Sequence, residues 1–588
     1  MSKNSYIIDK AFKTFLLASI LTQLIQQLRI LADGIIVSNK VGPSALSAIN
    51  LYTPFETVFY ALIMITVSGA GLLAAIEMGK QNYRRVSEFF SSTLIIVSAI
   101  ISALVAASYF FLPEIVGWLS DIDEPQLYGQ TMDYTRIMLF TYIIQVPNSA
   151  LRAFVSIDGK PRLVTGSIII SFLLNVVLDI LFVIVLDMGI TGAAIATLIS
   201  DTVGMLMLCR YMYSRECSFR LQMPKSFAIL GESIRQGLPL QVPMLLVAVV
   251  FYLVNQIVLD IKGPEGAYLM AVIMQIMSLC AMVCEGFVEL NTSIGGVLYG
   301  ERDFSSFRKI VHNSYSMLMS FGLILTAAML LFPDAILMMF GDDGSVDSTL
   351  LTSQLRVISA LFIPYMLFQF TANVHIIVGK ENFATILLFA QAVAMVVLPY
   401  LFGQFAPDYF WHSFLVMILA VLAIQWITAR YLHQKKALLT EYALLPLLPD
   451  DIATTFSVHY NNESVADTLE QISLFTEISE LDSMTTNKVM LCCEELMYNL
   501  VQFGTDMNKD RTFDIRLSDL EDRFEVRIKD AGKPFDPVIR FDKTAAQAYT
   551  DGESMQLGLQ IVNKMCDEIA HKFMFGLNVT TLSFRKAS

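Results

Sequence analysis

Three groups of residues have types and spacings that suit chemistry. The first lies in apolar stretches of the first half. Arg29 and Asp33 stand one turn apart, Asn175 and Asp179 stand at i and i+4 on one helix face, and Thr197 follows in the next stretch. Two carboxylates with amide and hydroxyl oxygens suit a hard cation, or a proton shared between coupled carboxylates. A charged side chain at a bilayer centre costs roughly 2.5–3.5 kcal/mol on insertion scales, so charges there call for a use. The second group is Glu285 and Glu289, again one turn apart, with Glu56 elsewhere. These carboxylates suit a cleft that attracts cationic substrates, or a structural hydrogen bond to a neighbouring segment. The third group lies near the C-terminus. Glu495 and Asn499 are one turn apart in CCEELMYNLVQFG, KDAGKPFDP follows with Asp530 and Gly532, and GESMQLGLQIV places Gly558 and Leu559 at an expected helix start.

The elements that must position these residues follow from composition. The chain has 588 residues, of which 55% are hydrophobic and 16% charged, and its mean hydropathy is +0.58. A soluble protein carries about a quarter charged residues. Residues 1–449 hold 26 Lys+Arg and 29 Asp+Glu, and residues 450–588 hold 14 and 24. The first part is membrane-like in composition and the second soluble. The net charge of −13 and the acidic tail argue against nucleic-acid binding. Seven cysteines, an odd number without paired zinc-like motifs, fit a reducing compartment for the tail.

Apolar runs near 12–36, 44–78, 88–112, 130–153, 163–187, 189–213, 235–260, 266–299, 310–333, 352–377, 382–405 and 409–432 are long enough to cross about 30 Å of hydrocarbon. Without water to solvate the backbone they must be helices. One set of loops and the two ends carry most of the cations, whereas the alternate loops hold only Lys40 and Lys262. Both ends of a twelve-span bundle are therefore expected in the cytoplasm of a bacterial-type cell membrane. Gly42-Pro43 recurs as Gly263-Pro264, Gly79 as Gly300, and Gly159-Lys160 as Gly379-Lys380, all at offsets of 220 or 221. Two six-helix lobes of like topology follow, related by an axis along the membrane normal, with a cleft suited to alternating access. In the second half Met395 and Pro399 stand where Asn175 and Asp179 stand in the first. The asymmetry points to one ion site, in the first lobe.

In the tail Phe513, Ile515 and Leu517 alternate, as do Phe524, Val526 and Ile528, with Ser518–Arg523 joining them as a hairpin. Helical periodicity covers 462–478, 484–502 and 555–566. The expected architecture is an all-α polytopic membrane bundle followed by an α/β sandwich domain. Its parts are a lobe over 1–220, a lobe over 221–436, a linker over 437–453 and a soluble domain over 454–588.

The segment IDGKPRLVTGSIIISFLLNVVLDILFVIVLDMGITGAAIATLIS (Ile157–Ser200) resembles the multidrug and toxic compound extrusion (MATE) family. So do LADGIIVSNKVGPSALSAIN and EGFVELNTSIGGVLYGERD. The resemblance implies a cation-coupled exporter whose sodium or proton site uses Asp33, Asn175, Asp179 and Thr197, with Asn148 as a weaker correspondence. The tail motifs resemble the GHKL ATPases, especially the anti-sigma-factor and serine-kinase-like branch. That resemblance implies that Asn499 holds magnesium, Glu495 orients or deprotonates the attacking group, Asp530 receives the adenine amino group, and Gly532, Gly558 and Leu559 belong to the ATP-binding motifs. Gln556 stands where a first glycine is expected, and Phe503 replaces a common His.

The expected function is an ion-driven efflux antiporter of small organic cations, regulated by its nucleotide-binding tail. A membrane sensor whose tail phosphorylates or sequesters a cytosolic regulatory protein is the alternative. A flippase for pyrophosphate-linked sugars would want several cleft arginines, and few arginines lie in or at the edge of spans away from the cation-rich loops, namely Arg29, Arg136 and Arg356.

Overall fold

The computed structural model describes residues 6–119, 125–214, 216–224, 226–335, 348–435, 453–503, 512–532 and 553–586. The chain divides into two compact units, one of Leu16–Leu445 and one of Met1–Phe15 with Pro446–Ser588.

The larger unit is helical. Its first half contains α1 (Tyr6–Lys40, whose first turns lie in the other unit), α2 (Pro43–Gly79), α3 (Tyr83–Ser92), α4 (Ser98–Phe110), α5 (Leu112–Leu119), α6 (Pro125–Ile157), α7 (Pro161–Asp179) and α8 (Gly189–Met212). The second half contains α9 (Ala228–Leu290), α10 (Gly296–Gly300), α11 (Phe304–Leu331), α12 (Ser348–Ser359), α13 (Phe362–Ile377), α14 (Glu381–Phe405) and α15 (His412–Lys435). Among the described residues ten helical stretches are long and apolar enough to cross a membrane. The ranges 130–153 and 235–260 fall outside that set, on α6 and on the first arm of α9. The two arms of α9 join at Gly263, whose φ of 68° breaks the helix where the sequence places a loop.

The internal repeat is visible in the backbone. Gly42 and Gly263, Gln81 and Arg302, and Gly159 and Gly379 all have positive φ, at the repeat's offsets. The caps repeat too: Asn82 accepts from Arg85 N, and Asp303 accepts from Ser306 N. An asparagine or aspartate at that position satisfies an otherwise orphaned helix N–H.

Ion pairs sort the loops into two sides. Lys160 meets Glu216 at 2.7 Å, Arg85 meets Glu232 at 2.7 Å, and Arg235 meets Glu381 at 3.0 Å, all among the cation-rich loops. The two cations of the sparse loops bind partners in sparse loops. Lys40 pairs with Asp187 at 3.2 Å, and Lys262 donates to the Pro407 carbonyl at 2.6 Å.

The smaller unit contains a five-stranded antiparallel sheet of order β1-β2-β3-β5-β4, formed by β1 (Ala453–His459), β2 (Thr512–Asp519), β3 (Arg523–Asp530), β4 (Glu568–Met574) and β5 (Leu577–Arg585). Three helices accompany it, α16 (Asn462–Ile478), α17 (Ser483–Phe503) and α18 (Glu553–Met565). Phe513, Ile515, Leu517, Phe524, Val526 and Ile528 share one face and are buried, and the polar residues Asp514, Arg516, Glu525 and Arg527 of the other face are buried too. Phe475 of α16 reaches Phe524 of the sheet with ring centroids 6.0 Å apart. The sequence places residues 1–15 in the first lobe, but of these the described residues 6–15 group with this unit. Ile7, Ile8, Ala11, Phe12 and Phe15 form a buried stripe at helical spacing, and the Phe15 ring lies 5.9 Å from that of Phe575.

Candidate functional sites

The first-lobe residues are carried by α1, α7 and α8. Small polar contacts tie α1 to α7: Thr22 and Thr165 share a hydroxyl bond of 3.1 Å, and Thr165 donates to the Ala18 carbonyl at 3.2 Å. Asp179 is the last residue of α7, where the helix widens into i→i+5 turns over Ile180–Val185. Such turns are frequent at functional sites. The carboxyl groups of Asp33 and Asp179 approach closely enough to interact. Asn175 and Asp179 are fully buried and Thr197 is buried beside them. Asn175 Nδ2 lies 3.5 Å from Thr197 Oγ1. Asp33 Oδ1, Asn175 Oδ1 and both Asp179 oxygens are buried without a hydrogen-bond partner. Unpaired buried oxygens cost free energy, and four of them belong to these three neighbouring residues. No group of three or more His, Cys, Asp or Glu side chains with metal-binding spacing occurs among the described residues. The donor set is instead two carboxylates, an amide and a hydroxyl, which fits a hard cation or a proton.

Arg29 does not pair with Asp33, its neighbour one turn along α1. It crosses to Asp201 on α8, with Nη1–Oδ1 at 2.7 Å and Nη2–Oδ2 at 3.2 Å. Asp201 is absent from the sequence-derived set. Its signal is the i, i+4 spacing from Thr197, which places both on one face of α8. Asn148 is fully buried on α6 and neither polar atom of its side chain has a partner.

Glu56 on α2 belongs to the surroundings of this group, within electrostatic reach of Arg29 and Asp201. Tyr52 and Tyr142 share a hydroxyl hydrogen bond nearby. Glu285 and Glu289 lie elsewhere, on the second arm of α9. Glu285 faces a cavity of about 240 Å³ that is also lined by Cys284, Tyr365, Gln369, Asn373 and Leu388. Glu289 lies within reach of Gln23 and Arg152.

In the tail, Glu495 and Asn499 project one turn apart from α17. Asn499 Nδ2 is buried with no partner. Asp530 ends β3 opposite Asn578 of β5. Its Oδ1 accepts from Gly532 N at 2.8 Å and from Asn578 Nδ2 at 3.0 Å. Burial pushes the Asp530 carboxyl above the usual range, and these two donors pull it back. Asp530 thus offers a fixed acceptor for an N–H donor, and Asn499 a buried N–H donor suited to an acceptor such as a phosphate oxygen. The structure corrects one expectation. Helix α18 begins at Glu553, so Gly558 lies in its second turn and not at its start. With Gln556 in place of a first glycine, nothing in ESMQLGLQIV interrupts the helix. Leu559 is buried in the core. Residues 533–537 of KDAGKPFDP lie outside the described residues.

The larger unit has the polytopic helical fold seen in solved MATE transporter structures, and the chain continues into a smaller α/β domain. Residues 18–181 match the family described as MatE, and residues 459–584 match the family described as Histidine kinase-like ATPase domain. The chain is similar to the probable multidrug resistance protein YoeA of Bacillus subtilis (strain 168), 24% identical over 41% of this chain and 53% of that protein. It is also similar to the multidrug export protein MepA of Staphylococcus saprophyticus, 26% identical over 28% and 36%. The chain thus spans about half or less of the length of these curated relatives. Solved structures share the fold over more of it. A crystal structure of MATE in complex with MaL6 has a TM-score of 0.66 at 20% identity, covering 72% of this chain and 96% of that one. An outward-facing multidrug resistance MATE family transporter of the MOP superfamily has a TM-score of 0.63 at 22% identity, with the same coverage.

Proposed function

We propose that the chain is a cation-coupled efflux antiporter of small organic cations, working by alternating access between two six-helix lobes. The observation that carries this reading is the approach of Asp33 to Asp179 beside Asn175 and Thr197, with buried unpartnered oxygens on Asp33, Asn175 and Asp179. A sodium ion bound there would take up those oxygens, and a proton would be shared by the carboxyls. The matched relatives carry multidrug names, and the carboxylates Glu56, Glu285 and Glu289 suit cationic cargo. The surplus of cations in one set of loops supports cytoplasmic termini, and the pairwise turns support twelve spans.

Energy for export would come from the ion gradient, with the tail as regulator. Asp530 would receive the adenine amino group. Asn499 would hold magnesium, and Glu495 stands one turn away as a base. Support for regulation comes from α1. Its first turns pack in the tail's unit, where Lys10 Nζ donates to the Ala531 carbonyl at 3.0 Å, next to Asp530. The same helix continues to Asp33.

The test is dye efflux from proteoliposomes under an imposed sodium or proton gradient. Asp33→Asn and Asp179→Asn should each lower gradient-driven efflux at least about tenfold, equivalent to about 1.4 kcal/mol. Efflux that survives both substitutions would sink the ion-site reading.

A further inference from the structure

Arg29 and Asp33 are placed to pair with each other. They are i and i+4 on α1, the spacing at which an arginine and an aspartate meet on a helix surface. Such a pair would neutralise Asp33 and leave its oxygens unable to take a cation. The structure shows a different arrangement. The guanidinium spans to α8 and is held by both oxygens of Asp201, the fork-to-fork geometry that fixes direction as well as distance. The single hydroxyl proton of Ser171 on α7 is shared between the Ser200 carbonyl, at 3.0 Å, and Asp201 Oδ1, at 3.4 Å. Both partners are shielded, with 21% and 9% of their side-chain surface exposed. Asp33 remains within electrostatic reach of Arg29 but keeps Oδ1 without a partner.

We propose that Asp201 is a positioning residue for ion coupling: it clamps Arg29 away from Asp33, so that the Asp33–Asp179 oxygens stay open to the driving cation. The proposal rests on the ion-site reading above. Asp201 itself does not touch the ion. Remove its charge and the carboxylates left within reach of Arg29 are Asp33 on its own helix, Asp179 on α7 and Glu56 on α2, of which Asp33 has the helical spacing to pair with it. The guanidinium then competes with the cation for the same oxygens. Remove both charges and the competition disappears.

The experiment measures the half-saturating concentration of the driving ion on the full-length protein, in two ways. One is gradient-driven dye efflux. The other is sodium binding, or proton uptake after a pH jump, by detergent-purified protein. Asp201→Asn should raise the half-saturating concentration at least tenfold. Asp201→Glu should stay within threefold of the parent. Asp201→Asn combined with Arg29→Gln should also return to within threefold, which a purely structural role would not produce. If Asp201→Asn leaves the half-saturating concentration unchanged, or the double variant binds no better than the single, the clamp is refuted. That result leaves the ion site standing so long as Asp33→Asn and Asp179→Asn are inactive. If those two transport normally, the ion-site reading fails and the clamp fails with it. Should Asp201→Asn not fold, the double variant decides: tenfold weaker ion binding there refutes the clamp.

Discussion

On the side of the cation-rich loops, α2 and α9 touch backbone to backbone. A methyl group at Gly69 would lie 1.8 Å from the Ser233 carbonyl oxygen, and one at Gly237 would lie 1.6 Å from that of Ile65. Since Cβ contacts below 3.0 Å are essentially never seen, Gly69→Ala forces a separation of about 1.2 Å and Gly237→Ala about 1.4 Å. The obstructing atoms are backbone, so no side-chain rotation relieves them. Because α2 belongs to the first half and α9 to the second, this contact would close the lobes on that side under the proposed alternating access. Overpacking costs about 1–3 kcal/mol, and applied to one of two conformations it shifts their ratio roughly 5- to 150-fold. The substitution should deplete the conformation closed on this side. The assay is pulsed dipolar spectroscopy between spin labels at the exposed positions Arg84 and Arg308, in a background without native cysteines. Gly69→Ala should move the distance distribution to longer values, and Gly71→Ala, whose methyl would meet neighbours at an ordinary 3.6 Å, should not. Equal distributions in the two variants would refute the reasoning.

Three further outcomes are expected. Asn499→Ala and Asp530→Asn in the full-length protein should each weaken ATP binding at least about tenfold, read by equilibrium dialysis, and unchanged affinity would remove these residues from the site. Burial pushes the Cys492 thiol up to about 12 and raises that of Cys493 as well, so neither forms thiolate at pH 8. Mass spectrometry should find both unalkylated by iodoacetamide until the protein is unfolded. Asn461 caps α16 by accepting from Ser464 N at 2.7 Å. Its replacement by Ala should cost about 1 kcal/mol and lower the melting temperature of the tail in a calorimetric scan.

What the sequence disclosed depended on whether the signal was local. The strand residues from Phe513 to Ile528 alternate because a pleated strand does, and all are buried. The glycines at offsets 220 and 221 were legible because only a few residues adopt positive φ readily. Asn175 and Asp179 stood out as polar residues in an apolar run. The pairing of Arg29 with Asp201 did not, because the partners are 172 residues apart and the local alternative, Asp33, has the better helical spacing. The first turns of α1 were ambiguous for a different reason. Ile7, Ile8, Ala11, Phe12 and Phe15 form a stripe that a membrane or a soluble core could bury equally well. Gly558 read as a helix start because glycine marks one in the related pattern, yet the residues before it are competent helix formers.

That ambiguous stripe leads to a test of regulation. Residues 6–15 are held in the tail's unit, and Lys10 donates to the carbonyl of Ala531, next to Asp530. On the proposed reading, nucleotide bound at Asp530 would alter this hold and so act on α1, which carries Arg29 and Asp33. Linkage then demands reciprocity: the factor by which ATP changes ion affinity equals the factor by which the ion changes ATP affinity. For coupling of ordinary strength that factor is about 5 to 150. It can be read twice on the full-length protein, as ATP affinity with and without saturating ion, and as ion affinity with and without ATP. Lys10→Ala should bring both ratios toward one while leaving each affinity measurable. Ratios of one in the unsubstituted protein would show that the tail binds nucleotide without influence on the ion site. Matching ratios that ignore Lys10→Ala would move the coupling away from this contact.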